Sequence, residues 1–190
     1  MRFLAHLVLM LTIALAVGFG LSWYALTDGR VFGAFRSGPW TTWTQAGAPS
    51  PDPYSRAFLV RNASLQLAQG EGLQLVATTD SDGRQLDRAC TYRIDGRTPT
   101  TTFWTLIPAA DDGEMIARPD GPFGFHSARM ARANDGSIQL YVGKTLRPLN
   151  WVEITGEGPF NLVLSLYDTV FFSGVGSGVL TLPSIIREDC

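Results

Sequence analysis

From Phe3 to Leu26 the chain carries no Asp, Glu, Lys or Arg, and nearly every position is apolar. At 1.5 Å of rise per residue such a run makes a helix of about 36 Å, longer than the roughly 30 Å hydrocarbon core of a bilayer. A helix pairs every backbone group within itself, which a bilayer demands. The charges at its start are the amino terminus and Arg2. The positive-inside tendency therefore predicts a cytoplasmic head and an exported remainder, a single-pass bacterial inner-membrane protein with its C-terminal domain in the periplasm. Trp23 and Tyr24 fall at the far end, where amphipathic rings suit the headgroup level. His6, near the cytoplasmic end, can snorkel to the interface. The competing reading is a cleaved signal peptide, cut near Ala14-Leu15-Ala16. The apolar run continues ten residues past Ala16, beyond a normal signal-peptide core, so an uncleaved anchor over residues 1–26 is expected.

The rest of the chain is turn-rich, β-branched and aromatic, and long enough for one domain with a sizeable core. The chain has 15 basic and 17 acidic residues, and all but one basic residue lie beyond the anchor. That balance excludes a nucleic-acid surface. Arg outnumbers Lys 14 to one, which reads as GC-rich bacterial coding. Cys90 lies mid-chain and Cys190 is the last residue. In an oxidising periplasm they can pair and tie the C-terminal tail to a core strand; the alternative is a buried thiol and a loose one.

Residues 27–51 read as a linker of Gly, Pro, Ser and Thr, interrupted by Trp40 and Trp43. These two rings are expected to be exposed to a partner. In the domain 52–190, Asp52 is a good N-cap and Pro53 a good first helical residue, which predicts a short helix over 53–67. The period then changes. Strands are expected at Leu73–Thr78, Ala89–Ile94, Thr101–Ile107, Glu114–Ala117, Phe123–Met130, Ser137–Val142, Trp151–Ile154, Phe160–Tyr167 and Leu180–Ile186. Turn signals stand between them, among them Asp80-Ser81-Asp82-Gly83 and Asn134-Asp135-Gly136, and 174–178 reads as a flexible loop. In Phe160–Tyr167, residues Phe160, Leu162, Leu164 and Leu166 should share one face. Short strands at regular spacing without interleaved helices predict a β-sandwich or barrel. Trp104 and Trp151 are expected in or near its core.

Several segments, taken in order, resemble one bacterial family. They are Gly38-Pro39-Trp40-Thr41-Thr42-Trp43, Asp52-Pro53-Tyr54-Ser55-Arg56-Ala57, Ala77-Thr78-Thr79-Asp80-Ser81-Asp82-Gly83-Arg84, Cys90-Thr91-Tyr92-Arg93, Tyr141-Val142-Gly143, Asn150-Trp151 and the strand ending Leu166-Tyr167. The set is similar to domain of unknown function 1214, over roughly residues 36–190, in its short membrane-anchored form. The resemblance implies a mainly β, jelly-roll-like sandwich. It also implies a companion of the domain of unknown function 1254 family, here as a separate partner chain. It carries no agreed activity or catalytic residues. His126 stands where the family more often has Asn, which argues against a shared histidine mechanism.

No catalytic motif rises above background. Asp80-Ser81-Asp82-Gly83 looks like the start of a calcium loop, but the twelfth position, where a bidentate Glu belongs, is Thr91. No metal or other cofactor is therefore expected. Asp80, Asp82, Arg84, Asp87 and Arg88 form either a carboxylate–guanidinium site for a polar ligand or a solvated loop. His126, the one histidine of the exported domain, lacks the partners of a zinc site or a hydrolase triad; a satisfied strand histidine is the plainer reading. Gly174-Val175-Gly176-Ser177-Gly178 has its serine misplaced for a nucleophile elbow. Glu153 and Glu157 have nothing to place them as a glycosidase pair. The reading is a membrane-anchored, non-catalytic interaction module. The alternatives are a hydrolase of envelope carbohydrate or ester, and a small-polar-ligand domain using Asp80, Asp82, Arg84 and His126.

Overall fold

The computed structural model describes residues 2–28, 34–43, 47–61, 67–68, 70–168 and 181–190. Helix α1 is Arg2–Asp28, and its residues up to Tyr24 are exposed all round. A helix that is apolar on every face and buries none of them suits a lipid surround. Helix α2 is Pro53–Arg61. Its start is as expected, for the Ser55 N–H donates to Asp52 Oδ1 at 3.0 Å, the N-cap bond. Residues 62–66 of the expected helix lie outside the described residues, as does the expected loop at 174–178.

Among the described residues ten strands form two sheets: β1 Ala34–Ser37, β2 Trp40–Trp43, β3 Gly72–Ala77, β4 Thr91–Gly96, β5 Phe103–Ala109, β6 Phe125–His126, β7 Ile138–Gly143, β8 Asn150–Glu153, β9 Asn161–Tyr167 and β10 Ser184–Asp189. One sheet has the order β1-β2-β3-β9-β5-β6, the other β10-β4-β7-β8. All pairs are antiparallel except β7–β8. Their inner faces share one core. Leu73, Leu75, Leu162, Leu164, Leu166 and Trp104 of the first sheet pack with Tyr92, Ile94, Leu140, Val142, Val152 and Ile185 of the second. The alternation of β9 is as expected, and Phe160 just before it is also fully buried. Its ring meets Tyr92 edge-on at 5.6 Å. Fully burying such side chains stabilises by about 1.5–3 kcal/mol each.

Three strand expectations need correction. Glu114–Ala117 is not a ladder; it makes single bridges, Ala109 to Met115 and Ala117 to Ile154. The stretch Phe123–Met130 shrinks to the two residues of β6, because the chain turns away at Ser127. And the expected linker contains a hairpin: β1 and β2 extend the six-stranded sheet through β3. Gly38 turns that hairpin with φ 58°, the positive value that the first residue of a two-residue loop needs.

The outer face of the six-stranded sheet is ordered in rows. Thr41, Val76, Val163 and Ile107 lie side by side, and beside them Gln74, Ser165, Thr105 and His126. The third row is Gly72, Tyr167 and Phe103. A Cβ on Gly72 would stand 2.1 Å from the Leu166 carbonyl oxygen, so this position admits no side chain. Phe103 lies 5.8 Å from both Tyr167 and His126, an aromatic line across β9, β5 and β6.

Candidate functional site

The acidic loop after β3 is a structural knot. Asp80 is buried, and its Oδ1 accepts the N–H groups of Asp82 (3.1 Å) and Arg84 (2.9 Å). Its Oδ2 takes Arg84 Nε at 3.1 Å and faces Arg187 Nε at 3.3 Å. Arg84 Nη2 also donates to the exposed carboxylate of Asp82 at 2.6 Å. The carboxylate that would have to greet a ligand is thus occupied by its own loop and by β10. Ser81 fastens the same loop to β10 through Ile185, by one backbone and one side-chain bond.

His126 is elsewhere. It lies on β6, three strand spacings from β3 across the sheet, roughly 14 Å at 4.8 Å per strand. The structure does not bring His126 together with Asp80, Asp82 and Arg84. Trp40 is also not where it was expected. It is fully buried, with Nε1 donating to the Pro183 carbonyl at 2.7 Å, so it is a core residue that ties β2 to the approach of β10. Trp43 faces the other side of β2 and is partly exposed. Trp104 is buried as expected, whereas Trp151 faces outward and is only partly covered. Cys90 and Cys190 are joined by a disulfide, which pins the C-terminal residue at the start of β4.

A cleft opens between the two edge strands β6 and β8. Its volume is about 690 Å³, within the range of small-molecule sites. The chain from Met115 to His126 closes that side of the sandwich. Arg118 N–H donates to the Glu153 carbonyl, and the Thr155 N–H to that of Ile116, so this segment is laid along the end of β8 before crossing to β6. Phe123, His126, Trp151 and Leu149 supply apolar and ring surface to the cleft, and Asp120 and Arg129 its charges. A smaller hollow of about 220 Å³ adjoins it on the Trp151 side, beside the Arg118–Glu153 ion pair at 3.0 Å.

Asn150 builds the floor. Its Oδ1 accepts the Ala131 N–H at 2.8 Å, and its Nδ2 donates to the carbonyls of Ala131 (2.8 Å) and Gln139 (3.0 Å). These bonds hold the segment after β6 against β7 and β8. Only six residues return the chain from β7 to the parallel β8, and Leu149 takes φ 68° in that tight return. Its side chain stands 75% exposed at the cleft rim. Sequence reasoning missed Asn150, Asp120, Phe123, Arg129 and Leu149 as a group, because nothing in their spacing announces that two distant sheet edges meet. Among the described residues no three His, Cys, Asp or Glu side chains gather as metal ligands.

None of the curated proteins matches the chain in sequence. Among solved structures it is similar to the VPA0106 protein from Vibrio parahaemolyticus, with a TM-score of 0.58 at 19% identity, over 74% of this chain and 36% of that one. An uncharacterized protein from Burkholderia cenocepacia aligns with a TM-score of 0.45 at 19% identity, over 86% of this chain and 38% of that one. The chain thus spans little more than a third of the length of either. Residues 71–170, from the turn before β3 through β9, match the family described as "Protein of unknown function (DUF1214)"; this is over half of the chain, and the chain belongs to that family.

Proposed function

We propose that the protein is a non-catalytic interaction module, held at the bacterial inner membrane by α1 with its sandwich in the periplasm. Its partner in this reading is a companion β protein of the domain of unknown function 1254 family. The observation that carries the reading is the outer face of the six-stranded sheet. An antiparallel sheet with one solvated face normally turns polar residues outward. Here Val76, Val163, Ile107, Phe103 and Tyr167 face out, each only partly covered, with Trp43 on the same side. The occupant assigned to this face is the companion. That choice rests on the family resemblance drawn from the sequence. The exposed apolar α1 and the Cys90–Cys190 disulfide support an anchored, exported domain.

The test is to solubilise the native protein from bacterial membranes in mild detergent and identify what accompanies it by mass spectrometry. The expected result is a companion protein in fixed ratio, with peptides from residues 1–26 still attached. Ile107→Lys and Val163→Lys should release the companion while the sandwich keeps its thermal transition. A protein that emerges alone and intact would overturn the reading.

A further inference from the structure

We propose that the cleft between β6 and β8 is a saccharide site. The cleft adjoins the face assigned to the companion and shares Thr105, Ile107 and His126 with it, but the sugar assignment does not rest on that partner. Three observations carry it. The cleft has the volume of a small-molecule site and lies where an edge of each sheet contributes side chains to it. Its wall presents rings, Phe123 and Trp151 with His126 beside them, which suit the C–H face of a sugar ring. Asp120 and Arg129 reach the same cleft, and neither makes an ion pair or side-chain hydrogen bond among the described residues.

The ligand class follows from that mixture. A simple cation is attracted by Asp120 and repelled by Arg129, and a simple anion the reverse, so neither gains much from the pair. A lipid tail would leave both charges facing hydrocarbon, which is costly. A small zwitterion pairs with both charges but leaves the aromatic wall uncovered. A hydroxyl both donates and accepts. A ring bearing several hydroxyls therefore satisfies Asp120 and Arg129 together and stacks its apolar face on the aromatic wall.

The test uses the full chain in a detergent without a sugar headgroup, such as dodecylphosphocholine. Glucose, N-acetylglucosamine, maltose and cellobiose are the probes, read by saturation-transfer NMR. Transfer to ring C–H protons of at least one probe is expected. The double variant Asp120→Ala/Arg129→Ala, altered at two exposed positions, should weaken it by about tenfold or more, the scale of one charge-assisted hydrogen bond. Trp151→Ala removes a ring from the wall and should weaken it too, while Asp82→Ala should not. Thermal melts establish that each variant is folded. No transfer to any of the four sugars overturns the assignment. So does transfer that survives the double variant, or binding of inorganic phosphate or a free amino acid in their place.

Discussion

Arg187, on the last strand, places its guanidinium between Asp80 and Tyr92: Nε is 3.3 Å from Asp80 Oδ2, and the guanidinium carbon lies 5.4 Å from the Tyr92 ring centre. One side chain from β10 thus joins the loop after β3 to the core ring of β4. This is why the acidic loop is part of the scaffold. Asp80 has 1% of its side chain exposed and Arg187 19%, so removing Asp80 leaves Arg187 largely covered without its carboxylate and frees the two N–H groups that Asp80 holds.

Asp80→Ala should therefore destabilise the domain by about 3 kcal/mol, the scale for breaking a buried ion pair by removing one member. Asp82→Ala, at a 75% exposed carboxylate, should cost less than about 0.5 kcal/mol. Urea denaturation of the disulfide-intact protein checks both. Equal, small effects would return the pair to the status of a solvated loop.

Trp40→Ala should unfold the protein or lower its stability by about 3–5 kcal/mol, the range for a buried aromatic. The same change at Trp43 should leave the thermal transition nearly in place, since that ring faces outward from β2. The comparison separates core from surface directly. A Trp40→Ala protein as stable as the wild type would restore Trp40 to the surface.

These two tryptophans show where the sequence was legible and where it was not. Period-2 runs bounded by turn residues, such as Leu73–Ala77 and Phe160–Leu166, declare their strands and even their buried faces, because burial on one side imposes the alternation. The segment around Trp40 has the composition of a linker, yet its Gly38-Pro39 step is a turn signal and the four residues on each side pair in register. The hairpin was there to be read once the turn was given weight over the composition. The cleft was not. Residues 120–129 and 149–151 meet only because β5–β6 and β7–β8 close opposite sheet edges, and the Asn150 bonds that lock them join residues 11 and 19 apart. No local pattern encodes that meeting. Asp80 misled for a related reason: a carboxylate turn looks alike whether its lone pairs face water or an arginine a hundred residues later.

The disulfide gives a third expectation. Cys190→Ser should abolish the mobility difference between reduced and non-reduced samples on a gel. It should also lower stability by about 2–4 kcal/mol, somewhat under the roughly 4.7 kcal/mol that loop entropy assigns to a ring of about 100 residues. A non-reduced wild type that runs with the reduced one would remove the bond.

Tyr92 adds a dependence on alkaline pH. Burial pushes its phenol above the ordinary value, against the smaller opposing effects of the Asp87 N–H, which donates to its hydroxyl at 2.8 Å, and of Arg187 nearby. Desolvation disfavours the phenolate, so the folded state holds the proton more tightly than the unfolded chain does. The stabilisation is fully present below the unfolded value of about 10 and is lost as pH rises from there through the higher folded value. Urea midpoints measured from pH 8 upward should therefore fall more steeply for the wild type than for Tyr92→Phe. At neutral pH the variant should itself be weaker by about 1 kcal/mol, because the Asp87 N–H loses its acceptor. Parallel pH curves for the two proteins would mean that Tyr92 titrates alike in both states and that its burial costs the phenolate nothing.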